Sequence, residues 1–363
     1  MSDAASKPSA PPRRRKRGAR FVEIAEAAGV SIATVNRVLN DHGSVAPATR
    51  ARVVAAARQL AVPRVLPDLR HGLTRLDVIL ARSPTPLFRR IEQALQQATQ
   101  LLDRRIVVHR HVLEEDDDDQ IAHAILRPRP RRDGLALAVH DTPRVRDALR
   151  SVVAQGVRVV TLVSDIGEVP RLHYAGIDNL HAGRTAGWFL GRLARRPGRV
   201  LVLSNSLAFR AHVDRTAGCR AVIAERFPQL ACSETRECFD DPDRAYHAVN
   251  AALRARGGEL VGVYHSGAGS AGIAAALERA GRLGEVAWVG HEMTEAHRGW
   301  LARGAMDLVI DQDPDGQVRS TLQHLLHACG WLEAPPAAGP NEFRLFCAEN
   351  LPPPRPADEP GVR

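Results

Sequence analysis

Apolar positions along the chain fall into two textures. Between residues 21 and 60 they recur at helical spacing: Phe21, Ile24, Ala25 and Ala28, then Val35, Val38 and Leu39, then Val53, Val54, Ala57 and Leu60. Gly29 interrupts the first two runs, Ser31 is suited to cap the second, and Pro47-Ala48-Thr49 opens the third. Three short helices with a glycine turn between the first two make a helix-turn-helix pattern. Beyond residue 74 short β-branched runs alternate with amphipathic helical segments. Strands are predicted over 76–81, 105–112, 134–140, 157–164 and 173–177, then over 200–204, 233–238, 262–265, 287–291 and 307–311. The helices between them include 87–102, 182–193, 213–227, 243–254 and 269–280. This alternation predicts parallel sheets covered on both faces. Ten strands divide into two sheets, with the joint expected near residues 195–198 and one more strand over 343–346. Two doubly wound lobes joined by crossovers form a cleft lined by the C-terminal ends of their strands.

The chain has 363 residues, 44% of them hydrophobic, and a net charge of +9. No run approaches the roughly 18 apolar residues that a membrane helix needs. The polar, Pro-rich start lacks the apolar stretch of a secretory signal, so a cytoplasmic location is expected. The charge is unevenly placed: 13 of the 50 basic and five of the 41 acidic side chains lie in residues 1–70, which therefore carry +8 and leave +1 for the other 293 residues. A basic end on a near-neutral body fits either a nucleic-acid-binding segment or a solubilising tail. The expected organisation is a disordered basic tail over 1–19, ending in the run Arg13–Arg17, a headpiece over 20–62, a linker over 63–74, a two-lobed body over 75–350 and a Pro-rich tail over 351–363.

Several residue groups imitate other chemistry. The five cysteines form no CxxC pair and read as reduced, buried thiols, with a redox role as the alternative. The acidic run Glu114–Asp119 reads as solvated charge capping the next helix rather than as a metal site. Gly267-Ala-Gly-Ser-Ala-Gly272 has the spacing of a dinucleotide fingerprint, but lies far from the first strand of a sheet, and reads as a tight strand–helix turn. His291 and His297 are six apart, so one helix cannot bring both to a single metal. No catalytic constellation appears with motif context. No enzyme activity, cofactor or metal is expected.

Residues 20–40 resemble the DNA-binding headpiece of the lactose-repressor (LacI/GalR) family. Ile24, Ala25, Ala28, Gly29, Val30, Ser31, Thr34, Val35, Arg37, Val38, Leu39 and Asn40 carry the likeness, and Val45, Thr49, Arg50 and Val53 continue it. The segment Gly176–Gly187 is similar to the corresponding part of these regulators and of periplasmic sugar-binding proteins, so the resemblance spans roughly residues 20–350. It implies a two-lobed, periplasmic-binding-protein-like effector domain behind an all-α headpiece. It also implies a homodimeric repressor on a pseudo-palindromic operator, controlled by a sugar or polyol held between the lobes. A solute-binding protein or a nucleotide-dependent enzyme on the same body is the competing class.

By that resemblance Ile32 and Ala33 face base edges, where apolar readout suits a thymine methyl; Ser31, Thr34 and Asn40 face phosphates. Arg37 reaches guanine or phosphate, and Asn36 stands where the family more often has Ser. The linker departs from the family pattern: Leu69 occupies the position of the minor-groove wedge, yet Pro67 would break a helix interior. Insertion of Leu69 and a stiff linker packed on the body both remain open. For the effector, Arg215 matches the Arg of the family's Arg-x-x-Gly segment, with a surface ion pair as the bland reading. Asp141, Ser164, Asp165, His265, His291, Glu292 and Asp311 end strands at the cleft and complete the candidate set; helix capping is the alternative for each.

Overall fold

A computed structural model describes residues 21–40, 45–60, 73–128, 130–255 and 259–352. The basic run Arg13–Arg17, most of the linker with Leu69, and the end of the chain from residue 353 lie outside the described residues. The chain divides into two compact units, Met1–Gly72 and Leu73–Arg363.

The first unit contains α1 (Phe21–Ala28), α2 (Ile32–Leu39) and α3 (Pro47–Gln59). Ile24, Ala25, Ala28, Val35, Val38, Leu39, Val53, Val54, Ala56 and Ala57 form its core; of the predicted periodic set, Phe21 packs partly buried at its edge and Leu60 is exposed beyond the end of α3, while Ala56 is an addition. Gly29 takes φ +62, a left-handed conformation that ends α1 without cost to a Cβ. Ser31 caps α2, its Oγ accepting from the Thr34 amide at 3.2 Å.

The second unit has two sheets. The first holds β1 (Thr74–Ala81), β2 (Ile106–Leu113), β3 (Gly134–Ala138), β4 (Arg158–Leu162) and β5 (His173–Ala175), all parallel, in the order β2-β1-β3-β4-β5. Of its helices, α4 (Pro86–Gln100) packs on one face, while α5 (Asp118–Leu126) and α6 (Pro143–Ala154) pack on the other. The second sheet is assembled from β6 (Gly198–Ser204), β7 (Leu230–Glu237), β8 (Leu260–His265), β9 (Ala287–His291), β10 (Leu308–Asp311) and β11 (Arg344–Phe346), in the order β11-β10-β9-β8-β6-β7. Only the β10–β11 pairing is antiparallel. Helices α7 (Asn179–Leu193) and α8 (Arg210–Arg226) cover one face; α9 (Pro242–Arg254), α10 (Ser270–Arg279) and α11 (Glu295–Ala302) cover the other.

Two features differ from the sequence-based expectation. The chain leaves the first lobe between β5 and α7, not near 195–198: Ala182, Ala186 and Leu190 of α7 already share a core with Val200 and Val202. The helix after β10, α12 (Pro314–Ala328), returns to the first lobe, where Val318, Leu322, Leu325 and Leu326 pack with Leu76, Val78 and Ile91. Both crossovers are decided by which sheet face remains uncovered, and a helix's own periodicity does not report that. At the end of the described residues Leu351 packs against the second lobe.

Candidate functional site

Strand order reverses between β1 and β3 in one sheet and between β6 and β8 in the other, and such switch points open crevices at the C-terminal edges of strands. A cavity of about 390 Å³ lies there between the lobes. Arg82–Phe88 after β1, Glu115 after β2 and Val163-Ser164 after β4 form one wall; Asn205, Phe239-Asp240, Ser266–Ala271, His291-Glu292 and Gln312 form the other. Both the size and the mixture of aromatic faces with polar side chains suit a small polar ligand. Six non-glycine residues adopt positive φ among the described residues, and Val163, Phe239, Asp240 and Glu292 are four of them. Such conformations cost on the order of 1–3 kcal/mol each and gather where a site is held in shape.

Arg215 is set by helix packing. Helices α7 and α8 cross with backbones in contact. A Cβ on Gly183 would lie 1.9 Å from the Arg215 carbonyl oxygen, and one on Gly218 would lie 2.2 Å from that of Leu180. The glycine of the Arg-x-x-Gly segment and the glycine four residues after Asn179 thus permit the same crossing. It buries Arg215 to 2% exposure at the cavity. Its Nε donates to Asn179 Oδ1 at 2.7 Å and its Nη1 to the Ser266 carbonyl at 3.0 Å. Asn179 Nδ2 donates in turn to the Tyr174 hydroxyl at 2.8 Å, which lies 3.0 Å from the Val163 carbonyl. Arg215 is therefore fixed to the crossover and, through it, to the wall of the opposite lobe.

The floor carries neutral imidazoles. Burial lowers the pKa of His265 to about 3 and of His297 to about 4, and pushes His212 and His291 well below the ordinary value. His297 Nδ1 faces the Glu292 carbonyl at 2.6 Å, so it carries the proton, and its Nε2 accepts from Ser270 Oγ at 2.7 Å. His265 Nδ1, 3.3 Å from the same Oγ, is then the donor. His212 Nδ1 pairs with Ser266 Oγ at 3.0 Å and His291 Nε2 with the Tyr264 hydroxyl at 2.9 Å.

Against this neutral floor, burial raises Glu292 to about 7, with the Asp311 charge adding to the rise and the Gln312 hydrogen bond, Arg215 and Arg90 opposing it. Gln312 Nε2 donates to Glu292 Oε1. Four buried polar atoms on lining residues have no partner: Arg215 Nη2, His291 Nδ1, Glu292 Oε2 and Gln312 Oε1. Buried polar atoms are nearly always satisfied, so a set of orphans around one cavity points to a polar occupant.

The expected effector residues separate into two groups. Ser164, Arg215, His291 and Glu292 line the cavity. The other four stand behind its wall, where each is already occupied. Asp141 takes both Nε and Nη2 of Arg146, at 2.6 and 3.0 Å, and the Gly167 amide at 3.2 Å. Asp165 accepts from Thr161 Oγ1 at 2.8 Å, from the Ile166 amide and from Arg171. Asp311 accepts from Arg90 Nη1 at 2.7 Å and from the Met293 and Asp313 amides. His265 supports Ser270. Lining residues absent from the expected set include Phe88, Asn205, His212, Asp240, His297 and Trp300; Asn205 and Asp240 follow a strand end within three residues, which is the signal that would have found them, whereas the other four come from the helices α4, α8 and α11.

The glycine loop is a structural turn. Gly269 has φ +92, a Cβ on Gly272 would lie 1.7 Å from the Pro242 carbonyl, and the Ala268 amide is held by Asp240 Oδ1 at 2.6 Å. The five cysteines are free thiols, and the Cys219–Cys232 hydrogen bond with burial raises Cys219. In the headpiece, Ser31, Ile32, Ala33, Asn36 and Arg37 lie on the exposed face of α2, while Thr34 and Asn40 are half-buried; Val35, Val38 and Leu39 face the core. Asn40 Nδ2 donates to Asn36 Oδ1 at 2.5 Å.

Two family models match the chain: periplasmic binding protein domain over residues 77–330, and bacterial regulatory proteins, lacI family, over residues 21–61. No curated protein sequence matches it. Among solved structures, a glucose-galactose binding protein from Geobacillus stearothermophilus is 15% identical, with TM-score 0.69 over 78% of this chain and 100% of that one. A solute-binding protein of an ABC transporter from Bacillus halodurans, with bound myo-inositol, is 18% identical, TM-score 0.67, over 77% and 96%. Another from Burkholderia graminis, in complex with D-arabinose, is 20% identical, TM-score 0.68, over 77% and 96%. The body is thus a two-lobed periplasmic-binding-protein fold. Carrying this body behind a lacI-type helix-turn-helix, the chain belongs to the lacI family of bacterial regulatory proteins and is a DNA-binding transcriptional regulator. No helix among the described residues is long and apolar enough to cross a membrane.

Proposed function

We propose that this regulator is a repressor whose operator affinity is set by a small polyhydroxylated effector, a sugar or polyol, bound in the cavity between the lobes. The observation that carries the reading is the set of unpartnered polar atoms on Arg215, His291, Glu292 and Gln312: two adjacent hydroxyls would take the free guanidinium N–H and the free carboxylate oxygen at once. The solute-binding proteins of the same fold named above are a glucose-galactose binding protein and complexes with myo-inositol and D-arabinose, which agrees with this chemistry. Ser164, Arg215, His291 and Glu292 contact the effector, whereas Asp141, Asp165, His265 and Asp311 hold the wall.

On DNA, two headpieces of a homodimer grip a pseudo-palindromic site, with Ile32, Ala33, Asn36 and Arg37 toward the bases and Ser31, Thr34 and Asn40 toward phosphates. Effector binding changes operator affinity only by its differential affinity for the two arrangements of the body, typically 1–3 kcal/mol, or about 5–150-fold. Fluorescence anisotropy on a labelled palindromic duplex, titrated with a panel of monosaccharides and polyols, tests this. At least one compound should shift the operator Kd within that range, and Arg215→Met should abolish the shift while leaving DNA binding in place. Operator affinity indifferent to every compound, or an unchanged response in the variant, overturns the reading.

A further inference from the structure

The acidic run at 114–119 divides in the fold. Glu114 pairs with Arg82 at 2.5 Å, Asp119 pairs with Arg144, and Asp117 caps α5 by accepting from the Gln120 amide at 2.8 Å. Asp117 follows the helix-capping expectation, and Glu114 and Asp119, in exposed ion pairs, follow the expectation of solvated charge. Glu115 does not: it turns to the cavity wall. Asp240, in the loop after β7, lines the same cavity from the other lobe and is held there at φ +57. Among the described residues neither carboxyl pairs with a Lys or Arg. Asp240 Oδ1 accepts only the Ala268 amide at 2.6 Å, and the nearest basic group to Glu115 is His140 Nε2 at 4.0 Å.

Burial raises the pKa of both. Asp240 reaches about 6; at Glu115 the neighbouring His140 opposes the rise that burial causes, and the Asp240 charge adds to it. Two like charges on opposite lobes therefore repel across the cleft that the lobes must close. A cation between them converts that repulsion into attraction for both walls. A bare metal ion is a poor candidate, because no group of three or more His, Cys, Asp or Glu among the described residues could hold one. An organic cation fits better. The cavity of about 390 Å³ has Phe88, Phe209 and Trp300 in its lining for the body of such a ligand. Arg215, 2% exposed with Nη2 free, and His291, 1% exposed with Nδ1 free, provide independent sites for its hydroxyls.

We propose that the effector is an amino sugar or amino polyol whose protonated amine is clamped between Glu115 of the first lobe and Asp240 of the second. This deepens the effector reading above and rests on it. The full chain is titrated by calorimetry at pH 7 with matched pairs that differ in one group: D-glucosamine and D-glucose, D-galactosamine and D-galactose, D-mannosamine and D-mannose. At least one amine should bind about tenfold tighter than its hydroxyl partner, the scale of one charge-assisted hydrogen bond. Glu115→Gln and Asp240→Asn should each bring that ratio toward one, with circular dichroism verifying the fold; Glu115 stands in an inter-element loop, so its variant keeps the test open should Asp240→Asn fold poorly. Neutral sugars that bind as tightly as their amines, or a preference that survives both substitutions, overturn the clamp and leave the polyol reading standing. Binding of no member of any pair overturns both.

Discussion

Replacing Glu292 with Gln isolates the cost of a buried carboxylate at the centre of the cleft. Glu292 titrates near 7 in the folded protein against an ordinary 4.5, chiefly through burial and next through the Asp311 charge. Below pH 4.5 both folded and unfolded chains hold the proton, and the group contributes no difference. Between the two values the folded protein keeps a proton that the unfolded chain releases, so stability falls as pH rises through this window. Above pH 7 both are ionised and the whole cost is present, about 3 kcal/mol at roughly 1.4 kcal/mol per pH unit of displacement. Gln keeps the acceptor that Gln312 uses and the same left-handed backbone at φ +67, so strain cancels in the comparison. Asp240, raised to about 6, titrates in both proteins and cancels as well. Urea unfolding followed by tryptophan fluorescence at pH 5 and pH 8 gives the two stabilities. Glu292→Gln should exceed wild type by about 3 kcal/mol at pH 8 and by less than about 1 kcal/mol at pH 5. A gap that is equal at the two pH values, or a wild type more stable at pH 8, refutes the assigned burial of this carboxyl.

Three further outcomes follow from the packing. Arg215→Met leaves Asn179 Oδ1 and the Ser266 carbonyl without their donor, and should lower unfolding free energy by about 2–4 kcal/mol; an unchanged urea midpoint would contradict the described network. Gly183→Ala places a Cβ 1.9 Å from the Arg215 carbonyl oxygen, forcing α7 and α8 apart and costing about 1–3 kcal/mol or more, again read by urea unfolding. Arg37→Ala should weaken operator binding and, if the contact is to a phosphate, reduce the slope of log K against log salt by about one; wild-type anisotropy curves for the variant would remove Arg37 from the interface.

Local patterning was sufficient for much of the molecule. Helix periodicity in residues 21–57 selects the headpiece core because each short helix has one apolar face and only two others to bury it against. Asp178, Asn179 and Gly183 were recognisable as a segment, and each has a local duty: Asp178 caps α7 at the His181 amide, Asn179 fixes Arg215, and Gly183 admits α8. Strand ends likewise located Ser164, His291 and Glu292 near the cleft, and the Arg-x-x-Gly resemblance located Arg215.

What the sequence could not determine was the partner of each charge. Asp311 ends a cleft strand as Glu292 ends its neighbour, yet Arg90, 221 positions away, occupies the first, while the second keeps a free oxygen. Glu115 looked like its neighbours in an acidic run and alone faces the cavity; Asp240, across the cleft, had no motif at all. Likewise the return of α12 to the first lobe depends on an apolar sheet face left open since β5, far back along the chain. The alternation of apolar and polar residues fixes which face of an element is buried, because that depends on local geometry. Which charge meets which, and which stays free for a ligand, depends on long-range chain return, and only the tertiary structure decides it.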